Sequence, residues 1–154
     1  MKQLAHHTAS LAITAWVGGL WAIGYLAVPT LFHAQPDKQL AGMLAGQMFE
    51  ALGYVGIVCG AYLLLQHLFM SGKAVLREPA FMIIVAMLAI SLLIQFGIQP
   101  VMADLKAQAL PLDVMQSVYS DRFKMWHGVS SILYLLESLL GAVLVIRTFL
   151  APAK

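Results

Sequence analysis

The sequence predicts an all-α integral membrane protein, an antiparallel four-helix transmembrane bundle with a short interfacial helix before the fourth span. Three observations support this fold class. Hydrophobic residues make up 61% of the 154-residue chain and charged residues only 10%, whereas soluble domains carry about 25% charged residues. Four long apolar stretches can each cross a hydrocarbon layer of about 30 Å. The links between them are short, which favours antiparallel neighbours in one transmembrane domain.

The first span is predicted over residues 4–28, which carry no charged side chain. Gly18, Gly19 and Gly24 lower its helix propensity, so they are expected to allow close approach by a neighbouring helix. Pro29 has no N–H group and restricts the residue before it. The proline therefore predicts an end or a kink of this helix.

The second span is predicted over residues 48–70, with a helical lead that begins near Gln39. Gly46, Gly53 and Gly60 recur every seven residues, and Gly56 and Gly60 lie four residues apart. Seven-residue and four-residue repeats of glycine keep one helix face small, where another backbone can approach. Packing against the first span and packing against a second copy of the chain are both compatible with this pattern.

The third span is predicted over residues 80–99 and the fourth over residues 126–149. Helix beyond Pro100, out to Gln108, is compatible with the sequence. The polar stretch 113–124 carries apolar residues at intervals, which predicts an interfacial amphipathic turn before the fourth span.

The distribution of cations predicts the orientation of the bundle. One side carries Lys2, Lys73, Arg77, Arg147 and Lys154, and the other carries Lys38, Lys106, Arg122 and Lys124. This bias of five cations against four places both termini in the cytoplasm of a bacterial inner membrane. The formal charge of +2 and the lack of a basic run exclude nucleic acid as a partner.

Glu137 is the one acidic residue predicted deep inside the membrane. Ser130 and Tyr134 share its helix face, and Ser91 and Gln95 lie at a similar depth on the third span. An ionisable residue at this depth is a functional candidate by default, as part of a small-solute or proton pathway. A protonated glutamic acid that only holds helices together is the alternative.

Histidines at the helix ends are candidates for metal or haem ligation. His33, Glu50 and His127 lie at one membrane face, and imidazole with carboxylate suits copper or zinc. His7 and His67 lie at the opposite face, where they could clamp a haem b between antiparallel helices. Ordinary interfacial histidines are the alternative, because the spacing is not that of a diagnostic metal motif.

The sequence carries no phosphate-binding glycine loop, no Ser-His-Asp pattern and no paired carboxylates. We therefore predict a helix-packing protein in contact with the lipid bilayer. It would act as a subunit of a larger membrane complex or as a homo-oligomer.

Several motifs resemble the bacterial branch of the transmembrane-protein-205-like family, a domain of unknown function. They are Trp16-Val-Gly-Gly-Leu-Trp, Val28-Pro-Thr-Leu-Phe32, the stretch 37–49 and Phe123-Lys-Met-Trp-His-Gly-Val-Ser-Ser-Ile-Leu-Tyr134. The resemblance implies a four-helix membrane protein of about this length and implies no reaction. The opening histidines before Trp-Val-Gly-Gly are also distantly similar to copper-resistance protein D and to the haem-carrying membrane protoporphyrinogen oxidases. That similarity implies His7 as a haem-ligand candidate.

Overall fold

A computed structural model describes residues 2–71 and 78–150 of the chain. Helices account for 92% of these described residues, and no strand occurs among them. Four of the helical segments are long and apolar enough to cross a membrane. The predicted all-α membrane bundle is thereby confirmed, and the chain is a multi-pass membrane protein.

We name the four long helical segments the first to fourth helix in chain order. The first helix comprises the α-helix Lys2–Trp21, the π-helical turn Ala22–Ala27 and the α-helix Val28–Ala34, and the second is the α-helix Lys38–Ser71. The third comprises the α-helix Pro79–Leu92, the π-helical turn Leu93–Ile98 and the α-helix Gln99–Ala109. The fourth is the α-helix Ser120–Leu150, which a 3₁₀ turn at Val114–Gln116 precedes. The predicted spans lie inside these helices. The 34 residues of the second helix reach about 51 Å. That length exceeds a hydrocarbon layer of about 30 Å, and where each helix leaves the membrane stays a prediction.

Each π-helical turn ends two residues before a proline, Pro29 in the first helix and Pro100 in the third. Proline cannot donate to the carbonyl four residues earlier, and its ring crowds that carbonyl. In the π turns, the N–H of Val28 bonds to the carbonyl of Ile23, five residues back, and the N–H of Gln99 bonds to Ile94. The wider turn accommodates the proline, so both helices continue past it.

The predicted interfacial turn is a single 3₁₀ turn, Val114–Gln116. The Asp113 carboxylate caps it by accepting the backbone N–H of Met115 at 2.7 Å. Val114 is buried against Leu105 and Ala109 at the end of the third helix. This small apolar cluster fixes the turn from which the fourth helix starts.

The helices form a closed antiparallel ring. Each packs against the next along the chain, and the fourth closes against the first. The contacts run in opposite directions along paired helices, because Gly19 faces Leu52 while Gly60 faces Trp16. Met87 and Leu144 join Trp16 in a core from which solvent is excluded.

The outer surface of the bundle is apolar. Large hydrophobic side chains point outward on every helix, for example Leu11, Val58, Phe96 and Ile132. Such a surface is stable when it faces acyl chains. The bundle therefore contacts the lipid bilayer along its length.

Much of the predicted charge bias comes from residues outside the described ranges. Lys73, Arg77 and Lys154 belong to this group, as does most of the predicted loop between the second and third spans. The orientation of the termini stays a prediction.

Candidate functional site

The Glu137 carboxyl group lies at the centre of the bundle and is 2% exposed. Its Oε1 atom accepts a hydrogen bond from the Trp16 indole N–H at 3.1 Å and one from the Ser91 hydroxyl at 2.6 Å. These bonds join the fourth helix to the first and to the third. We call Glu137, Trp16, Ser91 and Gln95 the polar layer.

The Trp16 ring is fully buried against the glycine face of the second helix. A Cβ atom placed on Gly56 would lie 2.6 Å from the indole Nε1, and one placed on Gly60 would lie 2.8 Å from the ring. With contacts this short, a side chain at either position would require the Trp16 ring to shift. Glycine at these two sites makes the recess that holds Trp16 and aims its N–H at Glu137.

Gln95 is the fourth member of the polar layer and lies in the π-helical turn of the third helix. It is 6% exposed, and its Oε1 atom has no hydrogen-bond partner among the described residues. The oxygen points at Gly53 on the second helix, where a Cβ atom would overlap it. A buried oxygen without a partner is costly.

Tyr134 closes one end of the polar layer, one turn before Glu137 on the fourth helix. Its hydroxyl donates to the Leu20 carbonyl at 2.6 Å, and its ring occupies the space beside Gly24. Leu20 and Gly24 flank the start of the first π-helical turn. Ser130, a further turn away, is half-buried and takes no part in these hydrogen bonds.

The remaining predicted packing glycines fall into two groups. A Cβ atom on Gly19 would lie 2.7 Å from Leu52, and one on Gly46 would lie 3.7 Å from the Lys106 amine, so both face neighbours within the chain. Gly18 differs, because a Cβ atom there would meet no described atom within 4 Å.

The histidines do not converge. His7, His33, Glu50 and His127 are exposed, and His67 is half-buried with its Nδ1 atom 2.9 Å from the carbonyl of Leu63. Within residues 2–71 and 78–150, no group of three His, Cys, Asp or Glu side chains could hold a metal ion. Copper or haem b ligation by these residues stays a prediction.

The polar layer contains a partner that sequence reasoning did not identify. Glu137, Ser91 and Gln95 were predicted at a common depth, whereas Trp16 was noted only as the start of the motif Trp16-Val-Gly-Gly-Leu-Trp. The Trp16–Glu137 bond joins residues 121 positions apart. The pair of glycines at one-turn spacing on the second helix was the available signal for a large ring seated there.

Fold and polar layer together define a class: a multi-pass, all-α membrane protein with a buried carboxyl group at the centre of its bundle. Within that class, the chain belongs to the family described as Domain of unknown function (DUF4149), which matches residues 11–111. No curated protein and no solved structure matches the chain. A family of unknown function agrees with the resemblance, but the family's description does not carry the transmembrane-protein-205, copper-resistance or protoporphyrinogen oxidase names. Those names stay predictions.

The family match includes most of the polar layer but not its centre. Trp16, Ser91 and Gln95 lie inside the matched range, together with the glycine face of the second helix. Glu137 lies beyond the end of that range. The family match therefore includes the three polar side chains and the recess around the carboxyl group.

Proposed function

We propose that this protein is a non-catalytic membrane subunit that binds another transmembrane helix through its own first helix. The partner helix belongs either to a second copy of the chain or to a larger membrane complex. The observation that carries the proposal is an exposed stripe of small residues, Thr14, Gly18 and Ala22, at four-residue spacing. Gly18 at its centre has no described neighbour within reach of a Cβ atom.

A glycine inside a helix costs about 0.5–1 kcal/mol relative to alanine. At Gly56 and Gly60 the close seat of the Trp16 ring offsets this cost. At Gly18 no described contact within the chain offsets it. In lipid, faces with small residues four apart let the backbone of a second helix approach closely, which supports a partner helix at this stripe.

The glycine repeat of the second helix supports packing within the chain instead. Gly56 and Gly60 are covered by Trp16, and Gly53 is covered by Gln95. A second chain could not reach these positions without opening the bundle. This leaves the first helix as the association surface that the geometry favours.

We further propose that both termini lie in the cytoplasm of a bacterial inner membrane. The support is the excess of one Lys or Arg residue at the ends that carry the termini, since cytoplasmic segments are enriched in these residues. Among the described residues, Arg147 lies at this end, and Lys38 and Lys124 lie at the other.

Site-specific photo-crosslinking in native membranes tests the association. A photoreactive amino acid at Ala22 is expected to give an adduct of higher mass, whereas the same probe at Val58, 68% exposed on the second helix, is not. Gly18→Leu is expected to abolish the Ala22 adduct, because the larger side chain fills the stripe. Within the bundle, a Cβ atom at this exposed position meets no described atom of another residue within 4 Å.

Both a homodimer and a complex with another protein would give the adduct, and mass spectrometry of the band tells them apart. Equal adducts at positions 22 and 58, or no adduct at either, would contradict the proposal. An Ala22 adduct that persists in Gly18→Leu would also contradict it.

A further inference from the structure

We propose that the polar layer binds one small monovalent cation, a proton or Na⁺, between the Glu137 carboxyl group and the side-chain oxygen of Gln95. This site goes beyond association through the first helix and does not depend on it. Either ion neutralises one carboxylate charge. A proton bonds to a carboxyl oxygen and can be shared with a second oxygen through a hydrogen bond, whereas Na⁺ is coordinated by several oxygen atoms.

The hydrogen bonds of the polar layer leave one buried oxygen without a donor. The Trp16 indole and the Ser91 hydroxyl each have one hydrogen to donate. Both hydrogens point at Oε1 of Glu137. The Gln95 Oε1 atom, in the same layer, receives no hydrogen bond from the described residues. The Gln95 amide nitrogen carries two further hydrogens, but the hydrogen bonds to Glu137 among the described residues come from Trp16 and Ser91. The Gln95 oxygen therefore lacks a donor or a cation, and a protonated carboxyl group or a bound Na⁺ would supply one.

The glycines of the second helix place the unpartnered oxygen close to the carboxyl group. The Gln95 Oε1 atom lies against Gly53, and the Ser91 Oγ atom lies 3.2 Å from a Cβ position on Gly56. Gly53 and Gly56 are three residues apart, a rise of roughly 4.5 Å along one helix face. Ser91 in turn contacts Glu137 at 2.6 Å. Gln95 thus lies one helical turn along the third helix from the serine that binds the carboxyl group, and both side chains face the same glycines of the second helix.

The chemistry of the ligands limits the kind of ion. A carboxylate, a hydroxyl and an amide carbonyl are hard oxygen ligands, which suit protons and alkali cations better than soft transition metals. A monovalent ion on Glu137 leaves the layer neutral, whereas a divalent ion would leave an uncompensated charge inside the membrane.

No other charged group of the described chain competes for this role. Tyr134, on the same helix, is the titratable side chain beside the carboxyl group, and its ring contacts Tyr25 of the first helix. Cys59 of the second helix packs against the same core. The third helix contributes Ser91 and Gln95, which do not titrate. Glu137 forms no ion pair with any described Lys, Arg or His residue, so its charge has no protein counter-ion there.

Two measurements on the full-length protein in detergent test the site. The first compares the thermal unfolding midpoint in NaCl, KCl and choline chloride at equal ionic strength, because a bound ion stabilises the folded state by mass action. The second records the infrared carbonyl band of a protonated carboxyl group as the pH is raised. Both are repeated on Glu137→Gln and Gln95→Met, with Gln47→Met on the exposed surface of the second helix as the matched control.

Sodium binding predicts a midpoint that rises specifically with NaCl in the wild type and in Gln47→Met, and that loses this rise in both layer variants. Proton binding predicts a carboxyl band that is absent in Glu137→Gln and shifted in frequency in Gln95→Met, because the hydrogen-bond acceptor is removed. If Gln95→Met does not fold, Gln95→Asn withdraws the oxygen while keeping the amide, and a weakened sodium effect or a shifted band is expected.

Two results would overturn the proposal. One is a carboxyl band that neither substitution at position 95 changes, together with no sodium effect. The other is a carboxylate at all pH values with a midpoint indifferent to sodium. A higher unfolding midpoint in Gln95→Met under all salts would also contradict the proposal, since it would mean that the unpartnered oxygen only destabilises the core. Crosslinking through the first helix is a separate readout, so failure of the ion site leaves the proposed association unaffected.

Discussion

Trp16 combines two roles in one side chain. Its ring fills the recess over Gly56 and Gly60, and its N–H reaches the carboxyl group of Glu137. A tryptophan in a membrane helix is typical of the water interface, whereas Trp16 is fully buried in the bundle. The sequence could place Trp16 on a helix and could not identify its bonding partner, because the bond depends on how distant helices are rotated.

Substitution of single glycines distinguishes the two kinds of glycine in this chain. Gly56→Ala places a methyl group 2.6 Å from the Trp16 indole nitrogen. Overpacking of this kind costs about 1–3 kcal/mol of the free energy of unfolding. Gly18→Ala has open space and is expected to be neutral or to gain up to about 1 kcal/mol through helix propensity. Reversible unfolding in mixed micelles measures both.

The order of the two effects is the critical outcome. Equal destabilisation by Gly56→Ala and Gly18→Ala would mean that Trp16 does not lie on the second helix as described. An unchanged free energy of unfolding in Gly56→Ala would also mean that Trp16 does not lie on the second helix.

The π-helical turns are the element-scale feature that the sequence did not specify. Pro29 predicted an end or a kink, whereas the first helix continues to Ala34 through a widened turn. The same local sequence is compatible with a helix that ends at the proline and with a π-helical turn that lets the helix continue past it. Tertiary contacts decide between them, and here the Tyr134 hydroxyl bonds to the Leu20 carbonyl just before the turn.

Tyr134→Phe tests whether this bond holds the turn. Without the hydroxyl, the Leu20 carbonyl loses a 2.6 Å hydrogen bond. Amide hydrogen exchange across Ala22–Val28 is then expected to accelerate, because local opening becomes less costly. Tyr54→Phe, on an exposed side chain of the second helix, is the matched control. Exchange rates that are the same in both variants would show that the turn is stable without Tyr134.

At the scale of the whole molecule, composition and span length were enough to predict four membrane helices, since lipid leaves few alternatives for an apolar chain. The common depth of Glu137, Ser91 and Gln95 also followed from helix geometry. The sequence could not predict which way the glycine faces point, because the same glycine spacing is used for packing within a chain and for packing between chains. Gly56 faces inward and Gly18 faces outward, and only the arrangement of all four helices separates them.

The central claim is that the Glu137 carboxyl group ties the fourth helix to the first inside the bundle. A double-mutant cycle between Trp16→Phe and Glu137→Met, read as the free energy of unfolding in lipid bicelles, tests it most directly. The account predicts a coupling energy of about 0.6–1.7 kcal/mol, the range of interhelical hydrogen bonds in membranes. Effects that add within about 0.3 kcal/mol would contradict it, because side chains without a shared contact behave independently.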